Sequence, residues 1–260
     1  MNKNLYYISN GILILIGVIY FALSFLNMEI DATNEFFESL LFPLVAFIIG
    51  GFFVYLAKVF DWKSNLGRVW VTLGGALFLW GFADLLWYYF LLIGEEPFPS
   101  LADVFYLLGY PLIFIGLFYM LKELEIEIDK RLLLVYTGIF IIFSITVLYL
   151  LVPLIATDNL LETTAGLGYP LGDILILYFS VLVLVIFVLR GGNLKYSWIM
   201  VVLAFVLNAI ADLIFTWDAW GEGLYAMFAF DILDAFFLSA YLLLGLAGLA
   251  YYNQYQEALK

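Results

Sequence analysis

Long apolar runs separated by short polar segments dominate the chain. Each run is long enough to cross a bilayer as a helix, which takes about 20 mostly apolar residues. None alternates with the two-residue period of a membrane β-strand. The pattern predicts an all-α polytopic bundle of eight transmembrane helices, forming a single membrane domain over residues 1–260. The predicted spans are 6–26, 36–57, 69–93, 101–121, 132–155, 167–189, 196–217 and 227–252.

The composition is that of a membrane protein. Hydrophobic residues make up 66% of the chain and charged residues 12%, whereas soluble domains contain about 45–50% and about 25%. The formal net charge of −12 argues against a nucleic-acid partner, because such binding needs a basic patch. The predicted partner is the lipid bilayer, and the predicted location is the cell membrane.

Basic residues occur only in alternate polar segments. Lys and Arg mark the cytoplasmic side of a membrane protein. All ten lie in the two tails or in the second, fourth and sixth loops. Both termini are therefore predicted to be cytoplasmic, which requires an even number of spans. The basic residues are Lys3, Lys58, Lys63, Arg68, Lys122, Lys130, Arg131, Arg190, Lys195 and Lys260.

The second half of the chain repeats features of the first at a spacing of about 127 positions. Four helices per half is an even number, so both halves would cross the membrane in the same direction. We expect pseudo-repeats over about 1–128 and 129–260, related by an axis along the membrane normal, with sites near their interface. The matches are Phe42-Pro43-Leu44 with Tyr169-Pro170-Leu171, Asp84 with Asp212, Asp103 with Asp234, and Tyr110 with Tyr241.

Six aspartates fall inside predicted helices or at their outer ends. An ionisable side chain costs roughly 2.5–3.5 kcal/mol at a helix centre, so it is kept for a partner, a cavity or a function. Asp84 and Asp212 lie late in their helices and cannot be N-terminal caps; a structural hydrogen bond is the alternative to a functional role. The other four are placed in first turns, where Asp can simply cap free N–H groups. These four are Asp103, Asp173, Asp231 and Asp234.

Tyrosines and one asparagine share helix faces with these acids. A tyrosine hydroxyl can donate to a buried carboxylate, although aromatic belts at the membrane surface are another reason for tyrosines near helix ends. The pattern predicts an outward-facing cavity lined by carboxylates and tyrosines. Its ligand would be small and neutral or cationic, because the outer side offers no basic partner for an anion. The candidate site residues are Asp84, Asp103, Tyr106, Tyr110, Asp173, Asn208, Asp212, Asp234 and Tyr241.

The chain contains no His and no Cys. This excludes His- or Cys-based zinc sites, thiolate nucleophiles and Ser-His-Asp triads. No lysine lies in the body of a predicted span, so a retinal Schiff base is excluded as well. We predict no metal site and no resident cofactor, and we expect a non-enzymatic role rather than catalysis.

The segment Pro97–Leu112 contains the pattern Pro-Ser-x-Ala-Asp-x-x-Tyr-Leu-x-x-Tyr-Pro-Leu, which begins at Pro99. It resembles the multi-span membrane modules found ahead of diguanylate cyclases and sensor histidine kinases in prokaryotes, and stand-alone archaeal and bacterial membrane proteins of that type. The resemblance implies a sensory or ligand-binding membrane module. Only about eight residues follow the last predicted span, so signalling would need a separate cytoplasmic partner protein. The matched residues are Pro99, Ser100, Asp103, Tyr106, Tyr110 and Pro111.

Three functions stay open at this point. The first is a sensor or ligand-binding module, and the second is a carboxylate-coupled transporter for protons, cations or a small solute. The third is an intramembrane lipid hydrolase with two aspartates as general acid and base. Asp84 and Asp212 within about 6 Å of each other would favour transport or catalysis. Separate helix partners for every acid would favour a structural role.

Overall fold

The computed structural model describes residues 3–26, 32–125, 129–155, 159–191, 193–220 and 230–258. Over these residues the chain forms eight α-helices, each close to a predicted span. Continuous helices satisfy their own backbone hydrogen bonds, as a lipid environment requires. The helices are α1 (Lys3–Leu26), α2 (Ala32–Val59), α3 (Asn65–Leu92), α4 (Leu101–Leu124), α5 (Lys130–Ile155), α6 (Leu160–Arg190), α7 (Leu194–Trp220) and α8 (Phe230–Ala258).

Seven of these helices, α2 to α8, are long and apolar enough to cross a membrane over their described residues. In α1 the described apolar stretch is the shorter Tyr6–Tyr20. Large apolar side chains on α5 point away from the rest of the bundle; Leu134 is 74% and Tyr149 78% exposed. Such a surface suits contact with lipid, and the architecture is that of a multi-pass membrane protein.

Six helices pack in a closed circuit. α2 packs on α3, α3 on α4, α4 on α6, α6 on α7, α7 on α8, and α8 returns to α2. α1 lies against α8, and α5 lies against α6 and α7, so both are peripheral to the circuit. Buried side chains from all six helices of the circuit join one core.

Several basic side chains lie at one end of the bundle. Arg190, at the end of α6, donates to the backbone carbonyl of Leu124, the last residue of α4. The guanidinium of Arg68, in the first turn of α3, lies 5.0 Å from the ring centre of Tyr119 on α4. This end therefore gathers the C-terminal turns of α4 and α6 with the N-terminal turn of α3.

The start of α6 differs from the prediction. The helix begins at Leu160 rather than near 167, because Asn159 caps it: its side chain accepts from the N–H of Leu161 at 3.0 Å. Glu162 in the first turn accepts from the Asn159 amide at 2.9 Å. Asp173 consequently lies more than three turns inside α6, and its placement in a first turn was wrong. N-terminal capping cannot explain Asp173.

Candidate functional site

Asp84 is held by two tyrosines from different helices. The hydroxyl of Tyr106 on α4 donates to its Oδ1 at 2.6 Å, and the hydroxyl of Tyr241 on α8 donates to its Oδ2 at 3.2 Å. Asp84 itself is half-buried on α3. Each carboxyl oxygen of Asp84 thus accepts from a tyrosine hydroxyl, one on α4 and one on α8.

Asp173 and Asp212 share the same two donors. The Tyr110 hydroxyl lies 3.1 Å from Oδ1 of Asp173 and 3.0 Å from Oδ2 of Asp212. The amide nitrogen of Asn208 lies 3.4 Å and 2.8 Å from the same two oxygens. Asp173 comes from α6, Asn208 and Asp212 from successive turns of α7, and Tyr110 from α4. This four-residue group, Tyr110, Asp173, Asn208 and Asp212, is called the paired-carboxylate site below.

Asp103 acts both as a cap and as a link between helices. Ser100 is the N-cap of α4, and Oδ2 of Asp103 accepts from its N–H at 2.6 Å, which completes a capping box. The other oxygen, Oδ1, accepts from the hydroxyl of Tyr169 on α6 at 2.6 Å. Asp103 is only 4% exposed. Capping is therefore part of its role, and the Tyr169 contact ties α4 to α6.

Trp80 fills the space between the two tyrosines that donate across the bundle. Its ring centre lies 6.1 Å from that of Tyr110 and 6.0 Å from that of Tyr241. Its indole nitrogen donates to the backbone carbonyl of Tyr106 at 3.0 Å. A Cβ at Gly109 would overlap this indole, so glycine is required at that point for α3 and α4 to approach.

Neither Tyr169 nor Trp80 was among the sequence candidates. Each nevertheless lies four residues before a candidate aspartate, Asp173 or Asp84, on the same helix face. That spacing was a usable signal. What it could not supply was the partner, since Tyr169 donates to Asp103 on another helix rather than to its own neighbour.

The structure brings together eight of the nine candidates: Asp84, Asp103, Tyr106, Tyr110, Asp173, Asn208, Asp212 and Tyr241. Asp234 is half-buried near the start of α8, seven residues before Tyr241, or about 10 Å along the helix axis. The side chain of Asp231 lies outside the described residues. The eight residues, with Trp80 and Tyr169, are called the Asp–Tyr cluster.

Within the described ranges of the chain, neutral hydrogen-bond donors contact the carboxylates of the cluster and no basic side chain does. The donors are tyrosine hydroxyls, the Asn208 amide and one backbone N–H. Among the described residues, no group of three or more acids is arranged to hold a metal ion. Buried acids with neutral donors are suited to binding a proton, a small cation or a neutral molecule that donates hydrogen bonds.

A cavity of about 360 Å³ lies elsewhere, between the first turn of α7 and the last turns of α8. Asn193, Tyr251, Gln254 and Glu257 are among its lining residues. It lies at the opposite end of α7 from Asp212, about 27 Å along the helix axis. It is therefore separate from the Asp–Tyr cluster.

Comparison with known proteins gives no relative for this chain: no family model, no curated protein and no solved structure matches it at a significant level. The function therefore has to be inferred from the chemistry of the cluster.

Proposed function

We propose that the protein is an integral membrane sensor or ligand-binding module of the cell membrane. It has eight transmembrane helices and cytoplasmic termini, and it binds a small neutral or cationic ligand at the Asp–Tyr cluster. The one-sided distribution of the ten basic residues supports this orientation. The positions of Arg68 and Arg190 at one end of the bundle agree with it.

The cluster also supports an internal duplication. Tyr110 of the first half donates to Asp212 of the second, and Tyr241 of the second donates to Asp84 of the first. These are the residues that the repeat alignment pairs, so one contact is the counterpart of the other. The α4–α6 and α8–α2 contacts that close the circuit are likewise counterparts. A site at the junction of two parallel repeats is the arrangement expected for such a fold.

One observation carries the functional proposal. The segment that resembles sensory membrane modules supplies Asp103, Tyr106 and Tyr110, and all three make hydrogen bonds within the cluster. Their partners lie on α3, α6 and α7. A ligand that displaced one of these bonds would change the packing of several helices at once, and a membrane sensor needs such a response.

The test is to identify what binds. We expect native mass spectrometry of the protein, released from its own membranes, to detect a small molecule that is lost in Tyr110→Phe. Tyr136→Phe is the matched control, because that hydroxyl also donates across a helix contact, to the Tyr178 carbonyl, but lies outside the cluster. Retention of the molecule by Tyr110→Phe, or its loss from both variants, would contradict the proposal.

A second candidate is a carboxylate-coupled transporter, and one observation favours it. Asp173 and Asp212 both contact Tyr110, so two buried acids lie close together, although they are not the pair, Asp84 and Asp212, whose separation the sequence analysis singled out. If the protein is a transporter, Asp212→Asn should abolish pH-dependent uptake of protons, cations or a small solute into vesicles. If it is a sensor, the unmodified protein should show no such uptake. Unchanged uptake in Asp212→Asn would contradict the transporter.

A further inference from the structure

If both acids of the paired-carboxylate site were ionised, the Tyr110 hydroxyl would have too few hydrogens for the carboxylate oxygens that it contacts. Tyr110 has one hydroxyl hydrogen but faces carboxylate oxygens of both Asp173 and Asp212, at 3.1 and 3.0 Å. One hydrogen cannot make two full-strength bonds. If either carboxyl carried a proton, Tyr110 could donate to one acid and accept from the other.

Asp173 supplies a second, independent observation. It is only 6% exposed, and its Oδ2 is buried without a hydrogen-bond partner. A buried, ionised carboxylate oxygen without a donor is costly. A proton on this carboxyl removes that charge and gives the pair the missing donor.

The two acids are also close to one another. Because both oxygens lie near the same hydroxyl, their separation is at most about 6 Å. Like charges at that distance in a buried site resist double ionisation, so the pair titrates as a unit. The donors described above include no cation that would offset the second charge.

The corresponding position in the first half is built differently. In the repeat alignment Asp173 matches Ala46 and Asn208 matches Trp80, so the first half has a single acid, Asp84. Both oxygens of Asp84 accept from tyrosines. The second acid and the amide are thus features of the second half alone.

We propose that Asp173 and Asp212 form a proton-binding site and hold one proton between them, while Asp84 is an acceptor with a structural role. The proton site depends on the proposed function, because both take the Asp–Tyr cluster as the functional centre of the protein. Ionisation releases the proton to water and leaves Tyr110 and Asn208 to stabilise both carboxylates. The protein is then sensitive to pH at a defined place in its second half.

The surroundings of the pair are acidic or neutral. Tyr169 of α6 is within electrostatic range of both acids, and Tyr241 of α8 is within range of Asp212. The next acids further from the pair are Asp103, which accepts from Tyr169, and Asp84, which accepts from Tyr241. On α5, Tyr136 is occupied with the carbonyl of Tyr178. Over the part of the chain that the structure describes, no basic group contacts the pair and takes the place of that proton.

Infrared difference spectroscopy tests the proposal, using the full chain in phosphatidylcholine vesicles titrated with acid and base. A protonated carboxylic acid has a carbonyl band that a carboxylate lacks. Exposed Asp and Glu are ionised above about pH 6, so a band that persists there reports a buried acid. We expect such a band in the unmodified protein, lost as the pH rises further. Asp173→Asn and Asp212→Asn should each shift its pH midpoint by about one pH unit or more, and the double variant should abolish it. Glu95→Gln, at an exposed acid outside the cluster, should leave the midpoint unchanged.

Milder variants guard against misfolding. Asp173→Glu and Asp212→Glu keep both acids and should each move the frequency of the band. A missing band in the unmodified protein, or the same band in all variants, would overturn the proposal, as would its loss in Asp84→Asn alone. If the band is present but no ligand co-purifies, the proposal of a ligand-binding module is contradicted, whereas the proton site is still supported.

Discussion

A tyrosine hydroxyl lies within hydrogen-bond distance of each of the four aspartates in the cluster. Tyrosine suits this role because its ring packs against apolar helices while its hydroxyl donates to a carboxylate. It supplies no compensating charge, so the acids stay responsive to protons and cations. An arginine in the same place would form an ion pair and remove that response.

The position of Tyr110 depends on a glycine of the neighbouring helix. A Cβ at Gly172 of α6 would overlap the Tyr110 ring. We expect Gly172→Ala to displace the ring, weaken its bonds to the paired acids and lower the free energy of unfolding by about 1–3 kcal/mol. Unfolding in detergent, followed by tryptophan fluorescence, measures this.

Gly138 of α5 is the control, because a Cβ there meets nothing within 4 Å. Gly138→Ala should be neutral or stabilising by up to about 1 kcal/mol, since alanine is the better helix former. If Gly172→Ala were as stable as Gly138→Ala, the close approach of Tyr110 to α6 would be wrong.

At the same scale, the sequence predicted the acids and tyrosines but not their pairing. Asp84 and Asp212 stood out because charge inside an apolar run is costly. That Asp212 would share Tyr110 with Asp173 could not be read from either helix, because the contact depends on how α4, α6 and α7 pack. The contact of Tyr169 with Asp103 could not be predicted from the sequence, because the two residues are 66 positions apart and lie on different helices.

Helices in this bundle approach closely where glycines meet. Gly50 of α2 and Gly74 of α3 face each other: a Cβ on Gly74 would lie 2.9 Å from the carbonyl oxygen of Gly50, and a Cβ on Gly50 would lie 3.1 Å from that of Gly74. Small residues at such crossings let backbones pack together in a membrane, where apolar burial contributes little. This contact fixes α3, and with it Asp84.

We expect Gly74→Leu to force α2 and α3 apart and to destabilise the protein by about 1–3 kcal/mol. Gly51→Leu is the matched control, because Gly51 is exposed on α2 and a Cβ there meets nothing within 4 Å. Unfolding in mixed micelles compares the two variants. Equal stabilities would show that the crossing is not at these glycines.

Helix existence was easier to predict than helix boundaries. Apolar length alone locates each span, whereas the start of α6 depends on the cap at Asn159. The polar, glycine-containing stretch after Asn159 looked like a loop. Because α6 starts earlier than predicted, Asp173 lies well inside the helix and cannot serve as an N-terminal cap.

At the scale of the whole molecule, six helices form a circuit with the cluster supplied by five of them: α3, α4, α6, α7 and α8. Sequence predicted the spans and a two-fold repeat, but not the order of helices around the circuit. That order depends on how the side chains of different helices pack against one another. The peripheral helix α1 packs on α8, whereas α5 packs on α6 and α7, so their contacts are not counterparts in the proposed repeat.

The orientation in the membrane can be tested directly, because the chain has no cysteine. Glu95 and Lys63 are both exposed in loops, on the predicted outer and cytoplasmic sides. In intact cells a membrane-impermeant maleimide should label Glu95→Cys, and should label Lys63→Cys only after lysis. Labelling of Lys63→Cys in intact cells would reverse the orientation.

The most direct test of the central claim, that reciprocal Tyr–Asp bonds build one cluster from two halves, is a set of double-mutant cycles on unfolding free energy. Tyr110→Phe with Asp212→Asn, and Tyr241→Phe with Asp84→Asn, should each show a coupling energy of about 0.5–2 kcal/mol. The crossed pair, Tyr110→Phe with Asp84→Asn, should be additive within about 0.5 kcal/mol. Additivity in both matched pairs would contradict the claim.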